Sequence, residues 1–579
     1  MEGVDCKAYV GLITRLMASA VSLEGSEVYM VTECNLDFPV GEYLIIESSG
    51  GVKYLARITE SKVEDIYSIA RTPILSLQQE LAMGIKYIPR FIKLELIAEC
   101  IKDDCKPPST PPRIHSMVRV PREGEVAAML SLPSSGVTLG GLALPNGHEV
   151  KGNYVKLPLE ALNHHVLVVG TTGSGKTTLL KNIALSLLTN YSDVTVIALD
   201  TVGHYNHLIL NNVSVKVLIP ITRSWVKRSL REGDAKALAK WLALKMARRY
   251  LNDAFKAFGL RLGKLRIRIK GRVLKGGGMA IIDEVNITLE GIKANITLIP
   301  WALSTRSILY RVHEVTGMLT DQARMFYSRI IREVRRRMRG DLTFRAIFQY
   351  LTDISDVQMS GRQLLNYEVI ARDLGIHTST IENILRTILA VDESNIVDVA
   401  YSRNNVKLKV PEPEYGKILE PGYVVLHLIG LPPLAQRIFV YRVLDKVYGF
   451  MGPEHLRNRG RLAVILVDEA HLFFPQAKSE DERSMLERHL TRLTRLGRGR
   501  GISVVFATHI PDDLNDAVLQ LTNTKIVLRS DERVLERLNV PQSERRFLTV
   551  ADAGVAYVKS FIYKHPLYIK VNPIAYHVG

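Results

Sequence analysis

The chain has 579 residues, enough for about three or four domains, and 47% of them are apolar, which supplies sizeable cores. Its formal net charge of +17 favours a polyanionic partner such as nucleic acid, although a membrane surface would suit the same charge. Four cysteines are too few for a disulfide framework and permit at most one local disulfide, and no apolar run is long enough to cross a membrane. The start of the chain, MEGVDCKAYV, lacks the order of a signal peptide, so we expect a soluble, cytoplasmic protein.

Residues 1–115 alternate short β-type runs with turns, for example Val28 to Val31, Glu42 to Glu47 and Val52 to Ile58. Closely spaced short strands indicate a small β barrel or sandwich. A Pro-rich stretch, Pro107 to Pro112, marks the exit from this N-terminal domain.

A phosphate-binding loop follows the apolar run that ends at Val169. Its glycines let backbone N–H groups surround phosphates, Lys176 reaches the outer phosphates, and the Thr177 hydroxyl ligates Mg²⁺. Leucines at helical spacing come next, so the phosphates would lie at a helix N-terminus, where anions are favoured. We therefore predict ATP and Mg²⁺ as cofactors, with the nucleotide held by Gly170, Thr171, Thr172, Gly173, Ser174, Gly175, Lys176, Thr177 and Thr178.

The remaining pattern predicts an α/β fold: a RecA-like P-loop ATPase core with an N-terminal small β barrel and a helical insertion. Val194 to Leu199 should form a parallel strand beside the P-loop strand, ending in Asp200. Leu265 to Val273 alternates apolar and basic residues, and Arg329 to Arg339 is an Arg-rich helix. The predicted segments are the barrel (1–115), a connector and first core part with a basic β insertion (116–300), the helical insertion (301–400), and the second core part with a C-terminal extension (401–579).

Two apolar strands end in Asp-Glu, and hydrolysis needs an acid that positions the metal as well as a group that orients water. The six apolar residues from Leu462 to Val467, typical of a buried parallel strand, precede Asp468 and Glu469. We assign Asp468 to the Mg²⁺ shell and Glu469 to polarising water. The shorter run at Ala280 to Ile282, followed by Asp283 and Glu284, is the alternative.

Thr508 and His509 follow the apolar strand Ile502 to Ala507. At the carboxyl end of a strand beside the acidic one they would sense the outer phosphate, although a lone histidine is more often part of a turn. The segment before this strand contains Arg492, Arg495, Arg498 and Arg500, which either complement a helix dipole or provide an arginine finger to a neighbouring subunit.

With these residues in place, the chain resembles the HerA family, within the HerA and FtsK group of hexameric DNA-translocating ATPases. The likeness rests on the order of VGEYLI (Val40 to Ile45), His165 to Thr178, Asp200 to Tyr205, Pro421 to Leu428, Val464 to His471 and Gly497 to Pro511. It implies that Lys176, Glu469 and Arg498 are catalytic, Arg498 as a finger acting in trans, with His509 at the sensor position.

Two residues depart from the family pattern. His204 stands where the family usually has glutamate, and His509 stands where it usually has glutamine. These departures favour a divergent, archaeal-type paralogue over the main family enzyme.

The resemblance also implies a homohexamer with duplex DNA in a central channel, working with a NurA-type nuclease in DNA end resection and without membrane insertion. The basic strand and the Arg-rich helix either contact DNA phosphates or are ordinary solvated surface. Few aromatic residues interleave them, which favours contacts with the duplex backbone over base stacking. The alternatives are a secretion or conjugation ATPase that moves protein or pilus subunits, and a slowly hydrolysing clamp or scaffold.

Overall fold

A computed structural model of the protein describes residues 8–575, except for 16, 23–24, 33, 35, 64–89, 103, 228–234, 261–263, 275–278, 360–361, 404–405 and 453–460. The described residues form two compact units. The barrel unit lies within Met1–Ala161, Gly170–Lys176 and Thr524–Asn572, and the sheet unit within Leu162–Val169, Thr177–Asn523 and Pro573–Gly579.

The described chain contains 26 β-strands, numbered in chain order. The first thirteen are β1 Gly11–Ile13, β2 Ala20–Ser22, β3 Gly25–Thr32, β4 Tyr43–Glu47, β5 Val52–Val63, β6 Arg90–Ile101, β7 Asp104–Lys106, β8 Met117–Arg119, β9 Val137–Ala143, β10 Glu149–Leu157, β11 Val166–Val169, β12 Val194–Asp200 and β13 Val215–Pro220. The others are β14 Leu265–Leu274, β15 Met279–Leu289, β16 Asn295–Trp301, β17 Ile354–Met359, β18 Arg362–Leu365, β19 Ala400–Arg403, β20 Val406–Lys409, β21 Gly422–His427, β22 Leu462–Val467, β23 Ile502–Thr508, β24 Thr524–Val527, β25 Val555–Ser560 and β26 Leu567–Lys570.

Eighteen α-helices accompany these strands in the same residues. They are α1 Glu125–Met129, α2 Leu159–Leu162, α3 Lys176–Asn190, α4 Arg223–Lys227, α5 Ala235–Ala254, α6 Thr305–Ile308, α7 Val312–Thr316, α8 Asp321–Arg337, α9 Phe344–Thr352, α10 Asn366–Leu374, α11 Thr378–Glu393, α12 Tyr415–Ile418, α13 Pro433–Phe450, α14 Glu480–Leu493, α15 Arg495–Arg498, α16 Asp516–Leu521, α17 Glu532–Arg537 and α18 Gln542–Thr549.

Six strands of the barrel unit close into the small β barrel that the sequence predicts. They pair in the order β3-β1-β8-β4-β5-β6, and β3 pairs with β6 to complete the circuit. Inward-facing apolar side chains alternate with outward ones along β3, so that the barrel encloses its own core. The last barrel strand, β8, follows the Pro-rich stretch and pairs with β1 and β4, so the prediction that this stretch marks the exit from the barrel was wrong.

Five further strands of the barrel unit pair antiparallel in the order β10-β9-β26-β25-β24. Cys100 and Cys105 face each other across the β6–β7 pair and form a disulfide. Cys34 is also disulfide-bonded, so the prediction of at most one disulfide was too low.

The sheet unit contains a parallel core with the order β11-β23-β22-β12-β21-β13-β16. Every residue of β11, β12, β22 and β23 is buried, because helices cover both faces of a parallel sheet. The fold class predicted from the sequence is therefore confirmed: an α/β, RecA-like P-loop core with an N-terminal β barrel.

The strand β12 does not lie beside β11, where the sequence predicted it. β12 pairs with β22 and β21, while β11 pairs with β23, so two strands separate β11 from β12. Both intervening strands come from the last 120 residues of the chain, and local sequence contains no signal for such long-range insertion. Because of this order, the acidic strand β22 and the Thr508 strand β23 are neighbours, as predicted.

The segment from Trp301 to Ala400 is largely helical, as predicted. It contains α6 to α11 and the two-stranded sheet of β17 and β18. The Arg-rich helix α8 buries Tyr327, Ile330, Ile331 and Val334 at helical spacing and leaves most of its arginines exposed. Within the described ranges, no helix combines the length and apolarity that a membrane crossing requires.

Candidate nucleotide site

The phosphate loop runs from Gly170 to Lys176, between β11 and α3. Gly173 and Gly175 adopt positive φ angles of 76° and 107°, in the left-handed region that side chains rarely occupy. At Gly170 an added Cβ would lie 2.5 Å from the Ser174 Oγ atom. These positions therefore require glycine.

Residues far along the chain support this loop. The Thr171 N–H donates to the Arg529 carbonyl at 2.8 Å, and the Gly554 N–H donates to the Ser174 carbonyl at 2.8 Å. The Lys176 ammonium donates to the carbonyls of Gly170 and Thr171 at 2.7 and 3.0 Å. The loop therefore has a fixed shape in the barrel unit.

The loop fits a phosphate group. The Ser174 Oγ atom is buried and has no hydrogen-bond partner among the described residues, an arrangement that usually costs free energy. Ser174 and the buried Lys176 flank the positive-φ Gly175 at the start of α3, where unpaired N–H groups and the helix dipole favour an anion. Thr172 is exposed, while Thr171, Thr177 and Thr178 are half-buried.

Thr177 and Asp468 meet directly in the sheet unit. The Thr177 hydroxyl donates to Asp468 Oδ2 at 3.1 Å. A hydroxyl beside a carboxylate is an oxygen pair of the kind that Mg²⁺ prefers. The residues that the sequence assigned to the metal are thus brought together from positions 291 residues apart.

Tyr205 holds the same carboxylate from the other side. Its hydroxyl, fully buried, donates to Asp468 Oδ2 at 3.0 Å, and its carbonyl accepts a hydrogen bond from the Tyr423 hydroxyl at 2.9 Å. Burial raises the pKa of Tyr205 well above its usual value, and the charge of Asp468 adds to the shift. Tyr205 therefore remains a hydrogen-bond donor and fixes the orientation of Asp468.

Asp200, at the end of β12, places Tyr205. Its carboxylate accepts hydrogen bonds from the backbone N–H groups of Gly203 at 2.6 Å and Tyr205 at 3.1 Å, and from the Asn206 amide at 2.7 Å. Burial raises the pKa of Asp200, while these donors and His427 lower it. The carboxylate organises the turn that follows β12.

Two basic groups lie close to this network. Lys181, one turn after Thr177 in α3, is fully buried, and burial lowers its pKa to about 8 against the opposing charge of Asp200. Burial also lowers the pKa of His204, and the nearby Lys181 charge lowers it further. The position where the family usually has glutamate thus carries a neutral imidazole.

Glu469 contacts both histidines of the site. The His509 Nδ1 atom donates to Glu469 Oε2 at 2.7 Å, and His471 Nδ1 lies 3.5 Å from the same oxygen and 3.1 Å from the Thr508 hydroxyl. Glu469 has a positive φ of 51°, which turns the chain sharply after β22. The structure therefore brings Glu469 and His509 together at the tips of the neighbouring strands β22 and β23.

Arg498 lies apart from these groups. It is exposed at the end of α15, and no hydrogen bond or ion pair of its side chain is found within the described ranges. Arg492 and Arg500, by contrast, are engaged: Arg492 pairs with Asp445 at 2.8 Å, and Arg500 stacks over Tyr448. Of the four candidate arginines, Arg498 and Arg495 remain extended towards solvent.

The alternative acidic pair does not end a parallel strand. Asp283 and Glu284 lie in the middle of β15, where they pair with Arg272 at 3.1 Å and Lys270 at 2.6 Å across the β14–β15 hairpin. Both basic partners are exposed. This geometry is that of surface ion pairs in a hairpin, which favours the pair at the end of β22.

His165, immediately before β11, connects three elements near the site. Its Nδ1 atom accepts from the Val504 N–H at 3.2 Å, and its Nε2 atom donates to the Thr494 carbonyl at 3.2 Å. Burial lowers the pKa of His165 to about 4. The imidazole is therefore neutral in the folded protein and is used at both nitrogens.

We expect His165 to make folding stability sensitive to acid. Its folded pKa lies below the unfolded value near 6.5, so its contribution is complete above about pH 6.5 and falls as the pH drops towards 4, by up to about 3 kcal/mol. His165→Asn, which tolerates the positive φ of 64° at this position, should flatten that dependence relative to the wild type. Thermal unfolding from pH 4.5 to 7.5 measures it; parallel pH profiles for the two proteins would rule it out.

Sequence reasoning gave no role to Tyr205, His471, Lys181 or the supporting residues Arg529 and Gly554. For Tyr205, the only signal in the sequence was the motif from Asp200 to Tyr205. Its role depends on the pairing of β12 with β22, which places the Tyr205 hydroxyl against Asp468.

Comparisons with known proteins identify relatives of the chain. The family model for the central domain of helicase HerA matches residues 143–447. The DNA double-strand break repair helicase HerA of Pyrococcus furiosus is 36% identical over 66 residues, a match that spans 11% of this chain and 11% of that protein.

Solved structures that the chain matches include the bacterial conjugative coupling protein TrwBdeltaN70, at 12% identity and a TM-score of 0.42, covering 79% of this chain and 93% of that chain. VirB4 of Thermoanaerobacter pseudethanolicus is also 12% identical, with a TM-score of 0.43, covering 76% of this chain and 97% of that chain.

The family-model match extends over more than half of the 579 residues. It includes the phosphate loop, Thr177, the Asp200 to Tyr205 turn and the helical segment. This match confirms the resemblance seen in the sequence motifs, and the chain belongs to the HerA family.

Proposed function

We propose that this protein is an ATP-dependent DNA translocase or helicase that acts on duplex DNA. The observation that carries the proposal is the contact between the Thr177 hydroxyl and Asp468, with Glu469 and His509 joined at the neighbouring strand tips. This set of groups is what ATP hydrolysis requires of a P-loop protein.

In this proposal, different residues of the chain bind the phosphates, hold the metal and activate water. Gly170 to Thr178 bind the phosphates, Thr177 and Asp468 hold the metal, and Glu469 polarises the attacking water. Tyr205 keeps Asp468 oriented through its 3.0 Å hydrogen bond. Bound ATP supplies the phosphoryl group whose transfer to water releases free energy, and Mg²⁺ neutralises its charge.

The β14–β15 hairpin is the best-supported candidate for DNA contact. Arg266, Arg268, Lys270 and Arg272 are all exposed on β14. Lys270 and Arg272 are neutralised by Glu284 and Asp283, whereas no acidic partner of Arg266 or Arg268 is found in the described structure. Unpaired guanidinium groups on an exposed strand suit contacts with DNA phosphates, which carry no sequence information.

We expect the double substitution Arg266→Ala and Arg268→Ala to weaken duplex binding. Because each lost phosphate contact releases about one counterion fewer, the negative slope of log K against log salt should become shallower by about 2. Fluorescence anisotropy with a labelled duplex at several salt concentrations measures this slope. Arg483→Ala, at an exposed arginine of α14 paired with Glu487, is the control, and equal effects of the two variants would contradict the assignment.

In this proposal the subunits form a hexameric ring around the duplex, and Arg498 acts on the nucleotide of the next subunit. The exposed position of Arg498 supports this role. The ring would work with a NurA-type nuclease in DNA end resection. The segments 1–115, 116–300, 301–400 and 401–579 are our proposed domain division.

The deciding experiment measures the ATPase rate with and without linear duplex DNA, together with the particle mass in both conditions. Stimulation by duplex in a ring-sized particle supports the proposal. A secretion or conjugation ATPase would instead hydrolyse ATP without responding to DNA, and a clamp or scaffold would show slow turnover in every condition.

A further inference from the structure

Glu469, His471 and His509 bring three metal-binding groups together beside the proposed catalytic centre. One ligand atom from each lies within 4.8 Å of the other two. In the part of the chain that the structure describes, this is the only such group of histidine, cysteine, aspartate and glutamate side chains. We propose that these three residues bind a transition-metal dication, with Zn²⁺ as the best match.

The distances support a common metal. Both His509 Nδ1 and His471 Nδ1 approach the same Glu469 oxygen, at 2.7 and 3.5 Å. In a tetrahedral Zn²⁺ site with bonds of about 2.0 Å, neighbouring ligand atoms are about 3.3 Å apart. The two separations from Glu469 lie on both sides of that value, and all three ligand atoms lie within 4.8 Å of one another, so side-chain rotations can bring them onto one ion.

The ring geometry leaves room for an ion. The ring centroids of His471 and His509 are 5.1 Å apart, and the two ring planes are nearly perpendicular, at 85°. The side chains of His471, His509 and Glu469 are 13%, 34% and 29% exposed, so an ion can reach them from solvent. Three protein ligands with an open fourth position are typical of a zinc site that keeps a bound water.

The two metal sites differ in ligand chemistry. Thr177 and Asp468 offer only oxygen, which suits Mg²⁺, whereas two imidazoles and a carboxylate suit Zn²⁺ and similar ions. The Asp468 Oδ2 atom already accepts from Thr177 and Tyr205. The two ions therefore do not compete for one set of ligands.

Binding of a metal ion to these three residues blocks ATP hydrolysis, a consequence that rests on the proposed function. A bound ion takes the place of the proton between His509 Nδ1 and Glu469 Oε2, and the imidazole, which stays neutral, carries that proton on its Nε2 atom instead. The Glu469 carboxylate is then coordinated and no longer polarises water. Zn²⁺ thus inhibits hydrolysis without displacing nucleotide.

The first test is direct metal binding by the full chain. Zn²⁺ is titrated against a chromophoric chelator without thiol reductant, because Cys100 and Cys105 form a disulfide. His509→Gln retains a donor for Glu469 but offers a poor metal ligand, and His471→Gln removes the other imidazole. The control is His148→Gln, at an exposed histidine of the barrel unit.

We expect the wild type and the control to bind one Zn²⁺ per chain, with affinity reduced at least about tenfold in each site variant. Co²⁺ in place of Zn²⁺ should give visible absorption bands that the site variants lose. Unchanged Zn²⁺ affinity in His509→Gln and His471→Gln, with circular dichroism confirming folded protein, would overturn the site.

The second test compares ATP hydrolysis with and without Zn²⁺ within each protein. The rate should fall as Zn²⁺ fills the wild-type site, while binding of a fluorescent nucleotide persists, and His471→Gln should need at least about tenfold more Zn²⁺ for the same inhibition. Zn²⁺ bound at the site without inhibition would refute the effect on Glu469. If the protein hydrolyses no ATP, the proposed function fails, and the titration still decides the metal site.

Discussion

Glu469→Gln is expected to reduce ATP turnover at least about 100-fold while leaving nucleotide affinity close to that of the wild type. The amide has nearly the same shape as the carboxylate but lacks the charge that polarises water. The phosphate loop and the Thr177–Asp468 contact do not include the Glu469 side chain, so binding should persist. Steady-state hydrolysis and fluorescent-nucleotide titration separate the two effects.

Glu284→Gln is the matched control, because it makes the same change at the corresponding glutamate of the alternative acidic pair. Glu284 pairs with Lys270 on the hairpin surface, so its loss should leave turnover nearly unchanged. If Glu284→Gln abolishes turnover and Glu469→Gln does not, the acidic pair has been assigned to the wrong strand.

Arg498→Ala is expected to reduce turnover about 1,000-fold, the effect of losing an arginine finger. The protein should still fold, because the side chain is exposed and the structure gives it no partner within the described residues. Arg495→Ala, in the same short helix and equally exposed, is the control. ATPase rates measured with saturating duplex compare the two variants.

Mixing variants tests whether Arg498 acts between subunits. A Glu469→Gln subunit keeps its arginine and an Arg498→Ala subunit keeps its glutamate, so some interfaces of a mixed ring regain both groups. In an equal mixture, about a quarter of the interfaces should be complete, and activity should recover accordingly. No recovery after verified subunit exchange would place Arg498 outside the active interface.

Local sequence was sufficient where the chemistry depends on neighbours in the chain. The spacing of the phosphate loop requires glycine at Gly173 and Gly175, and both have positive φ angles in the structure. The six apolar residues before Asp468 form a fully buried parallel strand, as their composition predicts. The family assignment also came from the order of such motifs.

Strand order could not be obtained in this way. The sequence favoured β12 beside β11, whereas β23 and β22 lie between them. Pairing over 300 residues depends on which buried surfaces fit together, and every strand of the core is similarly apolar. For the same reason, the contact of Tyr205 with Asp468 was not predicted.

The sequence by itself identified a phosphate loop, predicted a metal-binding acid at Asp468 and a glutamate for water at Glu469, and showed two histidines, His204 and His509, that depart from the family pattern. Only the tertiary structure decided that Glu469, His471 and His509 converge, because their side chains meet at the ends of two adjacent strands. Residue type and local spacing fix what a group can do. Which groups act together is decided by the packing of distant strands, since that packing sets the distances on which hydrogen bonds and metal coordination depend.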